Sequence, residues 1–511
     1  MLYVVELTYY DTGLASEATL LFGTRGFTTR PTDTPANTLV DPRVITPAFL
    51  RRDLFDIATT GGASRVGYGE LVLNNDDGAL DTFNDYGLDG RTLTVRIADN
   101  ESAVYPAGYT TLFSGTMEEI EVGLSEVRIR LRDRQVYTTR ELQTNLYGGT
   151  NALPDGVDGI DSDLKGKPKP ILYGACFNVE PPLVNTSRLI YQVNDGAVRD
   201  VTAVYDSGAL LTHGADYVSQ SDMEAVAPAA GEFRVWKAGG MFRLGTTAAG
   251  QVTADAVEGD WPVDRTAAQI FARLLTERAG RDISEISATD LTALDTAQAA
   301  TLGLYIRDAV PVSTALDRVA QSVGAWWSTD ASGLIRLKRL EAPSGTAVLA
   351  LTQDNIISLT RVPLNDGGLP VYRYTVRCVP NYTVQTSGLV GQVNSARRAR
   401  LAQPFQDAYA EDSAVRTAYL LAPERTVETL MACRGKGDTE ASRLLTLYKV
   451  KRDRFEVVAA LSDVATLAAV ELGAVISVTY DRYGLSSGKL FRTLGYQLDP
   501  VNGTVSLTLW G

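Results

Sequence analysis

Gly166–Val218, GKPKPILYGACFNVEPPLVNTSRLIYQVNDGAVRDVTAVYDSGALLTHGADYV, is the stretch from which the organisation of this chain is read. Pro168 and Pro170 bias the backbone towards extended or polyproline geometry and stop any helix. Short β-rich runs come next, at Ile171–Tyr173, Leu189–Val193, Val198–Tyr205 and Ala209–Leu211. Turn residues separate them, at Val179-Glu180-Pro181-Pro182 and Asn194-Asp195-Gly196. The chain before this stretch reads as one β unit, and the chain after it as a second unit wrapped around helices. The stretch is the joint between them.

Upstream, residues 1–145 read as all-β. Leu2, Val4, Glu6 and Thr8 alternate with Tyr3, Val5, Leu7 and Tyr9, a strand with two apolar faces. Leu71-Val72-Leu73 ends in the turn composition Asn74-Asn75-Asp76-Asp77-Gly78. Period-two runs recur at Arg91–Ala98 and Glu126–Arg132, and Met117–Val122 adds another strand. Closely spaced strands with polar turns predict a barrel or sandwich. Residues 147–162, rich in Gly and Asp, form an exposed loop leading into the joint.

Downstream, Glu232–Trp236 and Met241–Leu244 extend the β-rich unit to about Trp261. Thr266–Ala279 then places Ile270, Phe271, Leu274 and Leu275 on one helical stripe, with Asp264 as its cap. Asp290–Ala300 and Ser313–Val323 predict two further helices, the second ended by Gly324. Trp326–Ser328 and Leu334–Leu340 form a hairpin. From Val348 the chain returns to strands: Val348–Leu351, Ile356–Leu359, Val371–Val379, Arg454–Ala460, Val475–Tyr480, Phe491–Leu498 and Val505–Leu509. Between them Asn394–Arg400 reads as a loop, and Val427–Cys433 and Asp438–Tyr448 as helices.

A chain of 511 residues exceeds one hydrophobic core and predicts roughly three to four domains. Its apolar fraction of 45% and charged fraction of 21% are those of globular protein and exclude a disordered or collagenous chain. No apolar run approaches the roughly 18 residues of a membrane helix. The N-terminus lacks a basic region and a small-residue cleavage site, so folding in a cytoplasm is expected. Three widely spaced cysteines, Cys176, Cys378 and Cys433, argue against a disulfide framework or a structural zinc. A net charge of −13 repels nucleic acid on average, and would suit a wall past which DNA slides without sticking.

Residues that could carry chemistry are few. His213 is the only histidine, which excludes multi-histidine metal sites; beside Gly214 it reads as an exposed turn residue. Asn74–Gly78 with Asp81 lacks the register of a calcium loop and reads as a hairpin turn. Gly435-Lys436-Gly437-Asp438 does not complete a phosphate-binding loop and reads as helix entry. Glu118, Glu119 and Glu121 offer carboxylates for glycoside hydrolysis, but their alternation fits a solvated strand face. Trp326-Trp327 could stack on a sugar or base, or place one ring in the core and one at an interface, since neighbours on a strand face opposite ways. Arg397-Arg398-Ala399-Arg400 could touch phosphate or serve a loop or subunit contact. No catalytic, cofactor-binding or metal residues are nominated, and an enzyme is not expected.

Several stretches, in order, carry a family resemblance. They are Phe113–Arg134 (FSGTMEEIEVGLSEVRIRLRDR), Gly166–Val218 with its PKPxLYG and LIYQVxDG segments, and Asp264–Leu340 with its Gly-Ala-Trp-Trp hairpin. Asp354–Tyr382 and Phe455–Gly511 complete the set, the latter with Glu471-Leu472-Gly473-Ala474-Val475 and the final strand Val505–Trp510. Together the chain resembles the tail hub, or baseplate hub, proteins of long-tailed bacteriophages, related to the hub of contractile tails.

The resemblance implies a mainly β fold with an α+β insertion: a first hub β-barrel at 1–146, a β-rich inserted domain at 147–261, a small α+β domain at 262–345, and a second hub barrel at 346–511 with a helical insertion around 400–450. It also implies a homotrimer at the distal end of the tail tube, in the virion tail tip. Six barrels would match the sixfold distal tail or tail tube protein to threefold tip and fibre proteins below. The tape measure protein is a further implied partner, and phage DNA would pass through the lumen without specific binding. No cofactor is implied. Some relatives carry a murein-degrading domain or fibre-like extension; neither is expected here. The alternatives are a host-surface adhesin acting through 147–260 or Trp326-Trp327, and a peptidoglycan hydrolase.

Overall fold

The structure, a computed structural model, describes residues 1–55, 60–363, 368–460, 463–499 and 502–511. The resemblance stretches Asp354–Tyr382 and Phe455–Gly511 each cross residues outside that set. The N-terminal strands are β1 (Leu2–Asp11), β2 (Ser16–Gly23), β3 (Phe27–Thr28), β4 (Leu39–Asp41), β5 (Val44–Asp53), β6 (Tyr68–Asn74), β7 (Tyr86–Gly87), β8 (Thr92–Ala98), β9 (Thr110–Val122) and β10 (Glu126–Arg132). The alternation read in β1 has a double use. Tyr3, Val5 and Leu7 enter the main core, while Leu2 and Val4 pack on Leu21, Val40 and Tyr105 on the other side. Leu93, Val95 and Ile97 of β8 and Val127, Ile129 and Leu131 of β10 are all fully buried.

The joint and its surroundings comprise β11 (Ile171–Val179), β12 (Leu183–Asn185), β13 (Ile190–Gln192), β14 (Asp200–Asp206), β15 (Ala209–Leu210), β16 (Thr212–His213), α1 (Gln220–Ala225), β17 (Glu232–Trp236), β18 (Met241–Leu244) and β19 (Val252–Val257). Next come α2 (Ala267–Arg273), which continues as a π turn over Leu274–Arg278, α3 (Ala288–Ala297), β20 (Gly303–Ile306), α4 (Val312–Ser322), β21 (Ala325–Thr329) and β22 (Ile335–Arg339). The predicted cap of α2 is corrected. Thr266, not Asp264, accepts the hydrogen bond from Gln269 N at 3.3 Å, while Asp264 accepts from Asp260 N one turn earlier.

The C-terminal part contains β23 (Leu349–Leu351), β24 (Ile356–Arg361), β25 (Arg373–Cys378), α5 (Ser395–Leu401), β26 (Gln406–Glu411), α6 (Ser413–Ala418), β27 (Glu424–Glu428), α7 (Arg434–Tyr448), β28 (Arg454–Ala460), α8 (Val464–Ala469), β29 (Val475–Val478), β30 (Lys489–Asp499) and β31 (Thr504–Trp510). Two expectations fail here. Asn394–Arg400 is helical, because Asn394 caps Arg397 N at 2.9 Å and turns the residues after it into α5. Val427–Cys433 is not a helix: Val427 and Glu428 complete β27, which lies parallel to β25. Val427 alternates with exposed neighbours, a period that a short apolar run conceals.

The mainly β architecture with an α+β insertion is as read. Its ladders, however, do not close a barrel among the described residues. They form one sixteen-stranded sheet whose longest path is β24-β28-β31-β30-β5-β6-β10-β9-β8-β1-β2-β4-β3. The link is the antiparallel pairing of β30 with β5, Tyr496 opposite Arg52. One core lies against this sheet and mixes both ends of the chain, from Val5 and Ile129 to Phe455, Phe491 and Trp510.

β11 is the joint in atomic terms. Ile171–Gly174 pairs with β20, and Ala175–Val179 pairs with β19. Side chains alternate between two cores: Ile171 and Tyr173 join α2 and α4, whereas Leu172, Cys176 and Val179 join Val204 and Phe233. At the change of partner Gly174 lies opposite Gly303. Gly174 has φ +76°, and a Cβ there would lie 2.0 Å from Leu302 O. The turn at Asn194 clasps the same strand, its Oδ1 accepting from Leu172 N at 2.8 Å. A strap from the C-terminal part crosses the outside. Asn178 Nδ2 donates to Asn381 Oδ1 at 2.8 Å, and the Arg397 guanidinium lies 3.7 Å from the Tyr205 ring centre.

Candidate functional site

The polar residues singled out in the sequence fall mainly into structural roles. Asn75 is fully buried and ties its turn together: Oδ1 accepts from Leu80 N at 2.8 Å, and Nδ2 donates to Asp81 Oδ1 at 2.9 Å. Arg43 binds Asp77 through two nitrogens at 2.8 and 2.7 Å. These hydrogen bonds and one from Ala79 N hold the Asp77 carboxyl well below the usual carboxylate range. The turn thus carries its own cation, an arginine.

Glu118 and Glu119 pair across the hairpin with Arg132 and Arg130, the second pair at 2.7 Å. Both pairs are solvated, in line with the strand-face reading. The Gly435-Lys436-Gly437 segment lies inside α7. A Cβ on Gly437 would lie 2.9 Å from Cys378 Sγ, so the glycine serves close helix-on-sheet packing.

Trp326 and Trp327 face opposite ways, as their adjacency on β21 requires, and both are buried. Trp326 enters the main core. Trp327 enters the helical core, stacks edge-on against Phe271, and donates its Nε1–H to Asp317 Oδ1 at 2.7 Å. Neither ring is a platform for a sugar.

The basic cluster is spent on backbone carbonyls. Arg397 Nε donates to Gly208 O at 3.0 Å, Arg398 Nε to Val393 O at 2.9 Å, and Arg400 Nη2 to Val379 O at 2.6 Å. Of the cysteines, Cys176 and Cys378 are buried, and burial pushes the Cys378 thiol up to about 11. Both are poor nucleophiles.

Two arrangements were not foreseen. The first is a buried ionic knot where the two ends of the chain meet. Arg52 on β5 pairs with Asp133 at 2.7 Å, both effectively inaccessible, and also donates to the Tyr496 hydroxyl at 3.1 Å. Gly67 permits the approach, since a Cβ there would lie 2.0 Å from Asp133 Oδ2. Glu471 adds a half-buried carboxyl, raised by desolvation against the pull of Arg52.

The second surrounds His213. Its ring stacks on Phe233 with centres 4.5 Å apart, and Nε2 lies 3.2 Å from Asp216 Oδ1. Lys237 Nζ bridges Asp216 Oδ2 at 2.8 Å and Asp200 Oδ1 at 3.4 Å. The hydrogen bond to Asp216 and the nearby Asp200 charge raise the Lys237 ammonium. One donor atom from each of Asp200, His213 and Asp216 falls within 4.8 Å of the others. The only sequence signal was the His-x-x-Asp spacing, too common to interpret.

Beside the joint, an open cleft of about 510 Å³ is walled by Pro168, Pro170, Pro181 and Pro182, with Tyr191 and Arg307. Arg307 donates to Glu180 O at 2.6 Å across one wall. The cleft brings both proline pairs of Gly166–Val218 to one surface.

No family model matches the chain, and no curated protein matches it. Solved structures do. A tail protein from Neisseria meningitidis MC58 is similar over 100% of this chain and 96% of its own, at 11% identity and a TM-score of 0.43. The prophage tail protein gp18 from Listeria monocytogenes EGD-e covers 100% of this chain and 94% of its own, at 10% identity and TM-score 0.40. The 43 kDa tail protein of prophage MuSo2 from Shewanella oneidensis covers 93% and 94%, at 9% identity and TM-score 0.39. At such low identity, the function of this chain has to be read from its own residues.

Proposed function

We propose that the chain is a structural protein of a bacteriophage tail, acting as a trimeric hub at the distal end of the tail tube. The observation that carries the reading is the single sheet built from both ends of the chain. Among the described residues no ladder covers the outer edge of β24 or of β3, so the sheet ends in unpaired strands. β24 leans Ile356 and Leu359 partly against the main core and leaves its other residues exposed, Ile357 by 62%. Exposed backbone donors and acceptors of this kind invite pairing with another chain. Ring closure through subunit edges satisfies them without open-ended growth. The order of hub-like segments supports the same reading.

In this reading the four-part division at 1–146, 147–261, 262–345 and 346–511 describes ring-forming and decorating parts. The ring matches a sixfold distal tail or tube protein to threefold tip and fibre proteins. Tape measure protein and then DNA occupy the lumen, and the net charge of −13 keeps DNA from adhering. Mass photometry of the purified chain, with imaging of the intact tail, tests this. A trimer of 55.1 kDa subunits on the tail axis is expected. A persistent monomer, or a position off the axis, overturns it.

A further inference from the structure

We propose that Asp200, His213 and Asp216 form a weak site for a first-row divalent cation of the zinc class, and that Lys237 is the internal cation this metal displaces. The donors come from three places in the fold: the first residue of β14, the last residue of β16, and the loop after it. Their convergence is therefore tertiary. One atom from each lies within 4.8 Å of the others. Zinc bonds of about 2.0–2.2 Å place tetrahedral donors roughly 3.4 Å apart, so the three donors have to draw together around the ion. An imidazole nitrogen with two carboxylate oxygens selects zinc-like ions over magnesium or calcium, which take oxygen donors. Phe233 already fixes the plane of the imidazole ring.

The Asp200 carboxylate is held only loosely by its present partner. Asp200 Oδ1 is shut off from solvent and has no hydrogen-bond partner, although the Lys237 ammonium stands 3.4 Å away. A metal would give this oxygen the directed partner that lysine does not. Lys237 is 41% exposed on a flexible stem, so it can swing into water when a divalent ion enters. Its charge makes the site weak in the unmodified protein. Metal binding would fasten β14, β16 and the loop after β16 to one another.

The test uses tag-free, full-length protein labelled with ¹³C-histidine, in which His213 gives the only imidazole signal. Zinc chloride added near neutral pH is expected to shift that signal along a saturable one-site curve, while magnesium chloride leaves it unmoved. Asp200→Asn and Asp216→Asn should each weaken binding about tenfold or more, and Lys237→Met should tighten it about tenfold. Absence of a zinc shift overturns the proposal. So does a shift unchanged by both Asp variants, which marks adventitious binding by an isolated imidazole. Weaker binding by Lys237→Met also overturns it, and because tightening is expected, misfolding cannot imitate the supporting result.

Discussion

Asp133→Ala is the perturbation that most directly tests how the two ends of the chain are joined. It strands Arg52, whose side chain is 2% exposed and pairs with Asp133 at 2.7 Å. Breaking a buried pair from one side costs about 3–5 kcal/mol, because the remaining charge stays desolvated. Here the Tyr496 hydroxyl still accepts from Arg52 at 3.1 Å, and Glu471 supplies residual negative charge. The lower end, about 3 kcal/mol, is therefore expected. That corresponds to on the order of a hundredfold in the opening equilibrium of the strands around the pair. A chain this long need not unfold in one step, so amide hydrogen exchange by mass spectrometry is the suitable assay. Peptides covering β5, β6 and β30 should lose protection together, and peptides from β14 and β19 should not. The double variant Arg52→Met/Asp133→Leu should recover most of the loss, since it removes both charges. Unchanged protection in β30, or a double variant as damaged as the single one, refutes the view that this pair rivets the sheet.

Other perturbations probe separate links. Glu471 has a raised carboxyl, so the folded state holds its proton to higher pH than the unfolded state and stability falls as pH rises through that interval. Parallel denaturant titrations of Glu471→Gln and parent protein should therefore show the variant gaining on the parent as pH rises from the ordinary glutamate range; a constant difference contradicts the assignment. Thr266→Ala should lower thermal stability by about 1 kcal/mol through loss of the α2 cap, with Thr266→Ser nearly neutral. Gly174→Ala combines a left-handed φ with a clash against Leu302 O and should cost more than about 4 kcal/mol, visible as lost soluble expression; a well-folded variant would refute the account of the partner switch in β11.

Local patterns in the sequence were informative where a single period governs a segment. Val127, Ile129 and Leu131 gave β10 its limits, the stripe at Ile270–Leu275 gave α2, and the Trp326-Trp327 pair sat on a strand with opposed rings. The features that stayed hidden depend on distance or on one side-chain hydrogen bond. Arg52 meets Tyr496 across 444 positions, and no local period encodes that pairing. The direction of α5 turns on Asn394, an excellent cap that also suits any loop. The arginines at 397, 398 and 400 resemble an anion site in composition, yet backbone carbonyls take their donors, from Val393 close by to Gly208 in the joint unit. The cluster around His213 was illegible for the same reason, because Asp200 and Lys237 reach it only through the fold.

The pairing of β5 with β30 also sets a timetable. During synthesis β5 is finished long before the ribosome reaches its partner, and at about 5–20 residues per second the 444-residue separation is a wait of roughly 20–90 s. Throughout that interval the nascent chain carries an open strand edge beside a half-built core, the condition under which chains mispair with one another. The strand is equipped for the delay: Pro47 interrupts its donors, its register shifts twice against β6, and Arg51, Arg52 and Asp53 place charge at its end. Until translation of the last strands these features act as a guard against association in trans, and afterwards the same Arg52 becomes the centre of the closed sheet.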